Sequence, residues 1–185
     1  MDNNTGRLTL ALDDLFANMS EILADMTPEQ RTKLRDAVPA GFQDQIRAAT
    51  TDTEAMLMAG IEATTGLRGK AHVPPSGVPD WLRLGALDEL ARLMAGTGRT
   101  CIHNPSFYRP QPIFAAAHKP GLVVCGRCLA MLIVRGENSK VCDGCGHTCT
   151  GPENKDGIHE TVVMIGGLAY SAGMCRDCLR QCEAL

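Results

Sequence analysis

The nine cysteines of this 185-residue chain all lie after residue 100, and six of them form C-x-x-C pairs. These pairs are Cys125/Cys128, Cys142/Cys145 and Cys175/Cys178. In a reducing compartment, paired cysteines at this spacing indicate a metal site more often than a disulfide bond. A secreted disulfide scaffold is the alternative, and the odd number of cysteines argues against it. The sequence therefore predicts that metal binding determines how the C-terminal half folds.

Cys101 and His103 supply a fourth pair of soft-metal ligands, in the order C-x-H. A structural zinc ion takes four ligands in a tetrahedral arrangement, and two residues between cysteines allow a tight turn to direct both sulfurs at one ion. Four pairs are therefore enough for two zinc ions. The predicted ligands are Cys101, His103, Cys125, Cys128, Cys142, Cys145, Cys175 and Cys178.

Two ways of combining the four pairs remain open. In a sequential arrangement the first pair joins the second and the third joins the fourth, whereas a cross-brace joins first with third and second with fourth. The sequential arrangement is favoured because closing shorter loops costs less entropy. His118 is the alternative to His103 in the first site. If His103 does not bind, Cys101, Cys125 and Cys128 would hold an open zinc ion with a bound water, which is the one catalytic route that the sequence offers.

The residues between the cysteine pairs predict short hairpins. Residues 160–174 read as two strands that turn at Gly166-Gly167, and Cys175 and Cys178 then open a helix whose N-terminal dipole favours thiolate. Residues 112–124 read as a similar hairpin that turns at 119–121, Lys-Pro-Gly.

A C-x-x-C turn, a hairpin and a helix opening with C-x-x-C together resemble the treble-clef and zinc-ribbon class of zinc-binding modules. The resemblance is strongest over residues 141–185 and weaker over 99–140. It rests on Cys142, Cys145, Gly146, Cys175 and Cys178. It implies a structural metal and a binding role.

Cys149 and Cys182 extend two of the pairs to C-x-x-C-x-x-x-C. An iron–sulfur cluster or a thiol redox pair is one interpretation, but the spacing differs from the usual cluster motifs. We favour the other interpretation, in which both are small buried side chains near the metal sites. His147 is expected at the surface or beside a ligand, and the histidines at 72 and 159 are expected to be structural.

The first half of the chain contains no cysteine and reads as helical. Apolar residues recur at alternating spacings of four and three from Leu8 to Met26, which predicts an amphipathic helix. Further helices fit residues 28–38, 42–50 and 53–65. A last helix over 81–95 would bury a face made of Trp81, Leu84, Leu87, Leu90 and Met94.

The predicted fold class is α+β. An N-terminal all-α helical bundle would precede a small metal-stabilised domain of short β-hairpins and a terminal helix. The predicted domains are a helical domain over 1–70, a Pro-rich linker over 71–80, a connecting helix over 81–98 and a double zinc-binding domain over 99–185. Within the last domain, residues 99–140 hold the first site and 141–185 the second. Few large apolar residues lie there, so chelation is expected to unfold it.

The charge distribution makes residues 99–140 a basic segment. They carry a net charge of +5, whereas 1–98 carry −5 and 141–185 carry −3. Such residues can contact nucleic-acid phosphates, but thiolate-rich zinc sites add negative charge to an already acidic chain. A protein partner is therefore favoured over nucleic acid. The basic residues are Arg99, Arg109, Lys119, Arg127, Arg135 and Lys140.

The sequence carries no phosphate-binding loop, nucleophile motif or H-E-x-x-H motif. It is therefore expected to belong to a regulatory or adaptor protein rather than an enzyme, with the helical half making protein contacts. No apolar stretch approaches the roughly 20 residues needed to cross a bilayer, and no signal peptide opens the chain. A cytoplasmic location and no membrane partner are expected. The sequence does not predict the oligomeric state.

Overall fold

A computed structural model describes residues 8–13, 27–29, 32, 40–65, 70–73, 77–151 and 156–183. The strands are β1 (Leu8–Asp13), β2 (Lys70–Val73), β3 (Arg99–Thr100), β4 (Ile113–Ala116), β5 (Leu122–Cys125), β6 (His159–Ile165) and β7 (Leu168–Met174). The α-helices are α1 (Phe42–Thr65), α2 (Asp80–Ala95) and α3 (Arg176–Glu183). Two 3-10 helices, η1 (Gly126–Leu132) and η2 (Gly136–Lys140), follow β5. Helices and sheet together make an α+β structure.

The strands form one mixed sheet in the order β2-β1-β6-β7-β4-β5-β3. Its centre consists of two antiparallel hairpins, β4/β5 and β6/β7, joined by parallel pairing of β4 with β7. Both predicted hairpins are confirmed. Gly166 (φ 56°) and Gly121 (φ 76°) lie in their turns, in a backbone conformation that glycine adopts readily.

Helices cover the two faces of this sheet. On one face, α2 packs its Leu82, Ala86 and Leu90 against β6 and β7. On the other face, Leu132 of η1 and Leu57 of α1 pack against side chains of the central strands. Those strand residues include Phe114, Val124, Val162 and Ala169. Each face therefore has its own apolar cluster, and both clusters extend into the cysteine-rich loops.

Helix α2 buries a face that matches the predicted one only in part: Leu90 is buried and Trp81 and Leu87 pack against the core, as predicted. Leu82 is completely buried, whereas Leu84 is 59% exposed and Met94 is also exposed. The helix approaches the sheet closely at Gly85, where an added Cβ would lie 2.6 Å from the Tyr170 hydroxyl oxygen. Gly85 and the buried Ala86 leave room for this approach between the leucines of the buried face, and a count of large apolar residues does not reveal this.

The prediction of an all-α N-terminal bundle is wrong for the described residues. Leu8–Asp13, predicted as the start of a helix, is strand β1, and it pairs in parallel with both β2 and β6. The apolar residues at positions 8, 10 and 12 fit the alternation of a strand as well as the period of a helix. Pairing with a neighbouring strand therefore decides which conformation this segment adopts. Residues 14–26 of the predicted helix lie outside the described residues.

The segments on either side of the predicted domain boundaries contribute to the same sheet. Strand β2 occupies residues that were assigned to the helical domain and the linker. The predicted helices at 42–50 and 53–65 form the single helix α1, in which Thr53 is buried. Its hydroxyl donates to Gly167 O in the β6/β7 turn, at 2.9 Å. The domain boundaries themselves stay predictions. No described helix combines the length and apolar character needed to span a membrane.

Candidate metal centres

The first centre forms where β3 and β5 end side by side. β3 pairs in parallel with β5, so Cys101, just after β3, lies beside Cys125, the last residue of β5. Their Sγ atoms are 3.8 Å apart. The first turn of η1 brings in Cys128, and His103 Nδ1 lies 3.4 Å from Cys125 Sγ and 3.3 Å from Cys128 Sγ.

The second centre forms where β7 meets a tight turn after η2. Cys142 and Cys145 lie on this turn, which is closed by a hydrogen bond from Gly146 N to Cys142 O at 2.9 Å. Cys175 follows β7 and Cys178 lies in the first turn of α3, as predicted. The Sγ atoms of Cys145 and Cys175 are 3.7 Å apart.

These separations fit the ligands of a tetrahedral metal ion. Two sulfurs at about 2.3 Å from one zinc ion, at the tetrahedral angle, are about 3.8 Å apart. A disulfide bond would bring them to about 2.05 Å. The eight cysteines whose side chains the structure describes are all free thiols. In each centre the four ligand atoms all lie within 4.8 Å of one another.

The two centres share a backbone feature. Cys125 N donates to Cys101 Sγ at 3.4 Å, and Cys175 N donates to Cys142 Sγ at 3.3 Å. In both cases the first cysteine of a C-x-x-C pair, at or just after the end of a strand, donates its amide to a sulfur of the opposite pair. Such hydrogen bonds stabilise thiolate charge, which suits a bound cation.

Thiol pKa values differ within each centre. Burial opposes ionisation of Cys101 and Cys142, but hydrogen bonds from backbone N–H groups outweigh it and lower both pKa values to about 7. The N–H groups belong to Cys125 and His103 in the first centre. In the second centre they belong to Cys175, Cys145 and Gly144. Burial, followed by hydrogen bonds and charge from neighbouring thiols, raises the pKa of Cys128 to about 11 and also raises the pKa of Cys178. One thiol in each centre therefore ionises readily, while burial and the neighbouring thiols oppose ionisation of Cys128 and Cys178.

Helix α2 connects both centres to the core. The Trp81 ring packs on the second-centre turn, where a Cβ added at Gly144 would lie 2.9 Å from ring atom Cζ2 and 3.4 Å from Cys178 Sγ. Farther along α2, buried Glu89 accepts a hydrogen bond from Gly121 N in the turn of the first-centre hairpin, at 2.6 Å. Neither role was predicted, because each contact joins residues distant in sequence.

The structure brings the eight predicted ligand residues into two groups of four. Their grouping is sequential, first pair with second and third with fourth, and not a cross-brace. His118 is not part of the first group, and its Nε2 lies 2.8 Å from Leu132 O. Cys149 is buried as predicted, and His147 is exposed. The side chain of Cys182 lies outside the described residues.

The six basic residues are not equivalent. Lys119 Nζ donates to Met131 O at the end of η1, and Lys140 forms an ion pair with Glu137. Arg99 donates to Pro120 O. These contacts stabilise turns and 3-10 helices. Three of the six basic side chains therefore already interact within the chain.

No family model, curated protein or solved structure matches this chain, which leaves the geometry of the two centres as the guide to its function.

Proposed function

We propose that this chain binds two structural zinc ions and works as a binding protein, of the adaptor or regulatory kind, rather than as an enzyme. The observation that carries the proposal is the pair of four-residue groups with tetrahedral separations between their sulfur and nitrogen atoms. A set of Cys₃His and a set of Cys₄ are both common structural zinc sites. Four protein ligands fill the coordination sphere and leave no position for a reactive water.

Zinc accounts for these groups better than an iron–sulfur cluster does. The ligand atoms of each group surround one point, within 4.8 Å of one another, whereas the cysteines of a cluster bind different iron atoms. The imidazole in the first group also suits zinc. A reducing compartment such as the cytoplasm keeps such thiols free for metal.

The partner surface that we propose is an apolar groove on the face of the sheet opposite α2. Its volume is about 670 Å³, and it lies between η1, α1 and strands β4, β6 and β7. Two of its lining residues, Leu129 and Ile133, are 38% and 53% exposed. Exposed apolar side chains grouped around a groove are typical of protein-binding surfaces. The lining includes Phe114, Leu129, Leu132, Ile133, Val162 and Ala169.

A protein segment with apolar side chains fits this groove better than nucleic acid does. Among the residues that the structure describes, none that lines the groove is Lys or Arg, and Lys119 and Lys140 make internal contacts. Phosphate contacts need cations that are free to reach the backbone of the nucleic acid. We therefore propose a protein partner that inserts an apolar segment.

Ile133→Asp is expected to weaken peptide binding by about 10-fold to 100-fold, because burying this side chain against a partner is worth about 1.5–3 kcal/mol. Peptides are first selected from a random library on the zinc-loaded chain, and their affinities are measured by calorimetry. Leu84→Asp is the matched control, since Leu84 is equally exposed but lies on the outer side of α2.

Equal affinities for the two variants, or a library that gives no binder, would contradict the groove proposal. Nucleic-acid binding that strengthens at low salt, and that Arg135→Ala weakens while Ile133→Asp does not, would replace the protein partner with nucleic acid.

A further inference from the structure

A third group of metal-ligand types lies beside the second centre and shares no residue with it. His147, Cys149 and Asp156 each offer one ligand atom, and these three atoms lie within 4.8 Å of one another. His147 and Cys149 follow the second-centre turn, where an isolated bridge pairs Val141 with Thr148. Asp156 lies just before β6, on the other side of the same loop. The chain therefore folds back on itself at this point to bring the three residues together.

The separations within this group are close to those of ligands on one ion. His147 Nε2 lies 3.1 Å from Asp156 Oδ1. Nitrogen and oxygen atoms at about 2.0–2.2 Å from one zinc ion, at the tetrahedral angle, are about 3.3–3.6 Å apart. Only a small rotation of two exposed side chains is needed to reach that distance. Imidazole, thiolate and carboxylate are the three ligand types that zinc accepts in proteins.

Cys149 is only 2% exposed, so an ion would have to reach its thiol through a neighbouring cavity. A cavity of about 250 Å³ lies beside it, lined by Cys149, Thr150, Ser139 and Lys140 among others. Its volume is large enough to hold a water molecule as a fourth ligand.

We propose that His147, Cys149 and Asp156 form a third, exchangeable site for a zinc-class divalent cation, completed by a solvent molecule or a small anion. Three protein ligands bind zinc less firmly than four, and an open position allows exchange. This site therefore responds to free zinc concentrations at which the other two centres are already full. Its occupation would link the second-centre turn to the start of β6.

The same residues also stabilise the loop without a metal. Asp156 Oδ2 accepts hydrogen bonds from Thr150 N at 2.9 Å and from Thr150 Oγ1 at 3.0 Å. Gly151 N donates to Asp156 O at 2.9 Å, and the exposed His147–Asp156 pair adds little to stability. A purely local role and a metal-binding role make different predictions for zinc stoichiometry.

Equilibrium dialysis of the full chain against zinc at graded free concentrations measures that stoichiometry. We expect two tightly bound ions per chain and a third that binds at higher free zinc. His147→Gln and Asp156→Asn are each expected to lower the affinity for the third ion by about 100-fold or more, because each removes a ligand. Asp88→Asn is the control, because it changes an exposed carboxylate on α2 that lies outside all three groups.

Cobalt(II) gives a second readout. The third equivalent should add sulfur-to-cobalt charge-transfer absorption that Cys149→Ala removes. The inference is overturned if binding ends at two ions, or if both ligand variants keep a third ion at unchanged affinity. The proposed function fails separately, if the first two ions do not bind. A chain that holds two ions and no third would therefore refute only the inference made here.

Discussion

Cys142→Ser is expected to unfold the chain at 25 °C. Cys142 is one of the four residues that we propose as ligands of the second zinc ion, is buried, and belongs to the apolar cluster that α2 forms with the sheet. A structural zinc ion contributes about 10–16 kcal/mol of apparent binding free energy, which exceeds or equals the total stability of a typical domain. We therefore expect the free energy of unfolding to fall by at least about 5 kcal/mol. Far-UV circular dichroism and urea titration measure the loss.

Cys149→Ser is the matched control for this variant. Cys149 is equally buried and undergoes the same exchange of sulfur for oxygen, but it lies outside both four-residue groups. A buried hydroxyl is expected to cost about 1–3 kcal/mol, so this variant should stay folded. The account of the second centre is wrong if the two variants lose the same stability.

Leu82→Ala is expected to lower the free energy of unfolding by about 2–5 kcal/mol, measured by urea titration of the zinc-loaded chain. Leu82 is completely buried and packs in the cluster that contains Cys142 and Cys178. The cavity left by Ala cannot be filled easily, because α2 is held at one end by Trp81 and along its length by Gly85 against Tyr170.

Leu84→Ala removes the same atoms two residues along α2 and is expected to change stability by no more than about 0.5 kcal/mol. This pair also distinguishes the face of α2 seen in the structure from the face predicted by periodicity, which placed Leu84 inside. A larger loss for Leu84→Ala than for Leu82→Ala would mean that α2 packs on the sheet through its other face.

The hairpins and the grouping of the cysteines could be predicted because their signals are local. Gly166-Gly167 between two apolar runs indicates a turn whatever surrounds it, and a C-x-x-C pair directs two sulfurs at one point by the geometry of its own turn. The sequential grouping also follows from loop length alone. These features needed no knowledge of the rest of the chain.

The features that could not be predicted depend on partners distant in sequence. Strand β1 pairs Thr9 with Thr161, a residue far along the chain, and its apolar pattern fits a helix as well as a strand. Glu89 and Trp81 acquire their roles only when α2 lies on the sheet. The group of His147, Cys149 and Asp156 depends on a loop that folds back. In each case tertiary contacts, rather than local propensity, decide the outcome.

Apolar packing and metal ligands cooperate more closely than the composition suggests. Cys142, Cys175 and Cys178 belong to one buried cluster, and Cys101 and Cys125 belong to the other. Strands and helices of the N-terminal half contribute to the same structure, so residues 99–185 do not depend on metal alone. Loss of the metal is still expected to disrupt both clusters, because the ion that would hold the cysteines of each group together makes a large contribution to folding.

The most direct test of this account is to measure metal content by elemental analysis and then to follow chelation. Trp81 is the only tryptophan and packs on the second-centre turn, so its fluorescence reports on that centre. The account predicts two tightly held zinc ions per chain. Chelation should shift the Trp81 emission and remove most of the far-UV circular dichroism signal, and both changes should follow the release of zinc. A chain that contains no zinc, or that keeps its emission and circular dichroism after all zinc is removed, would contradict it.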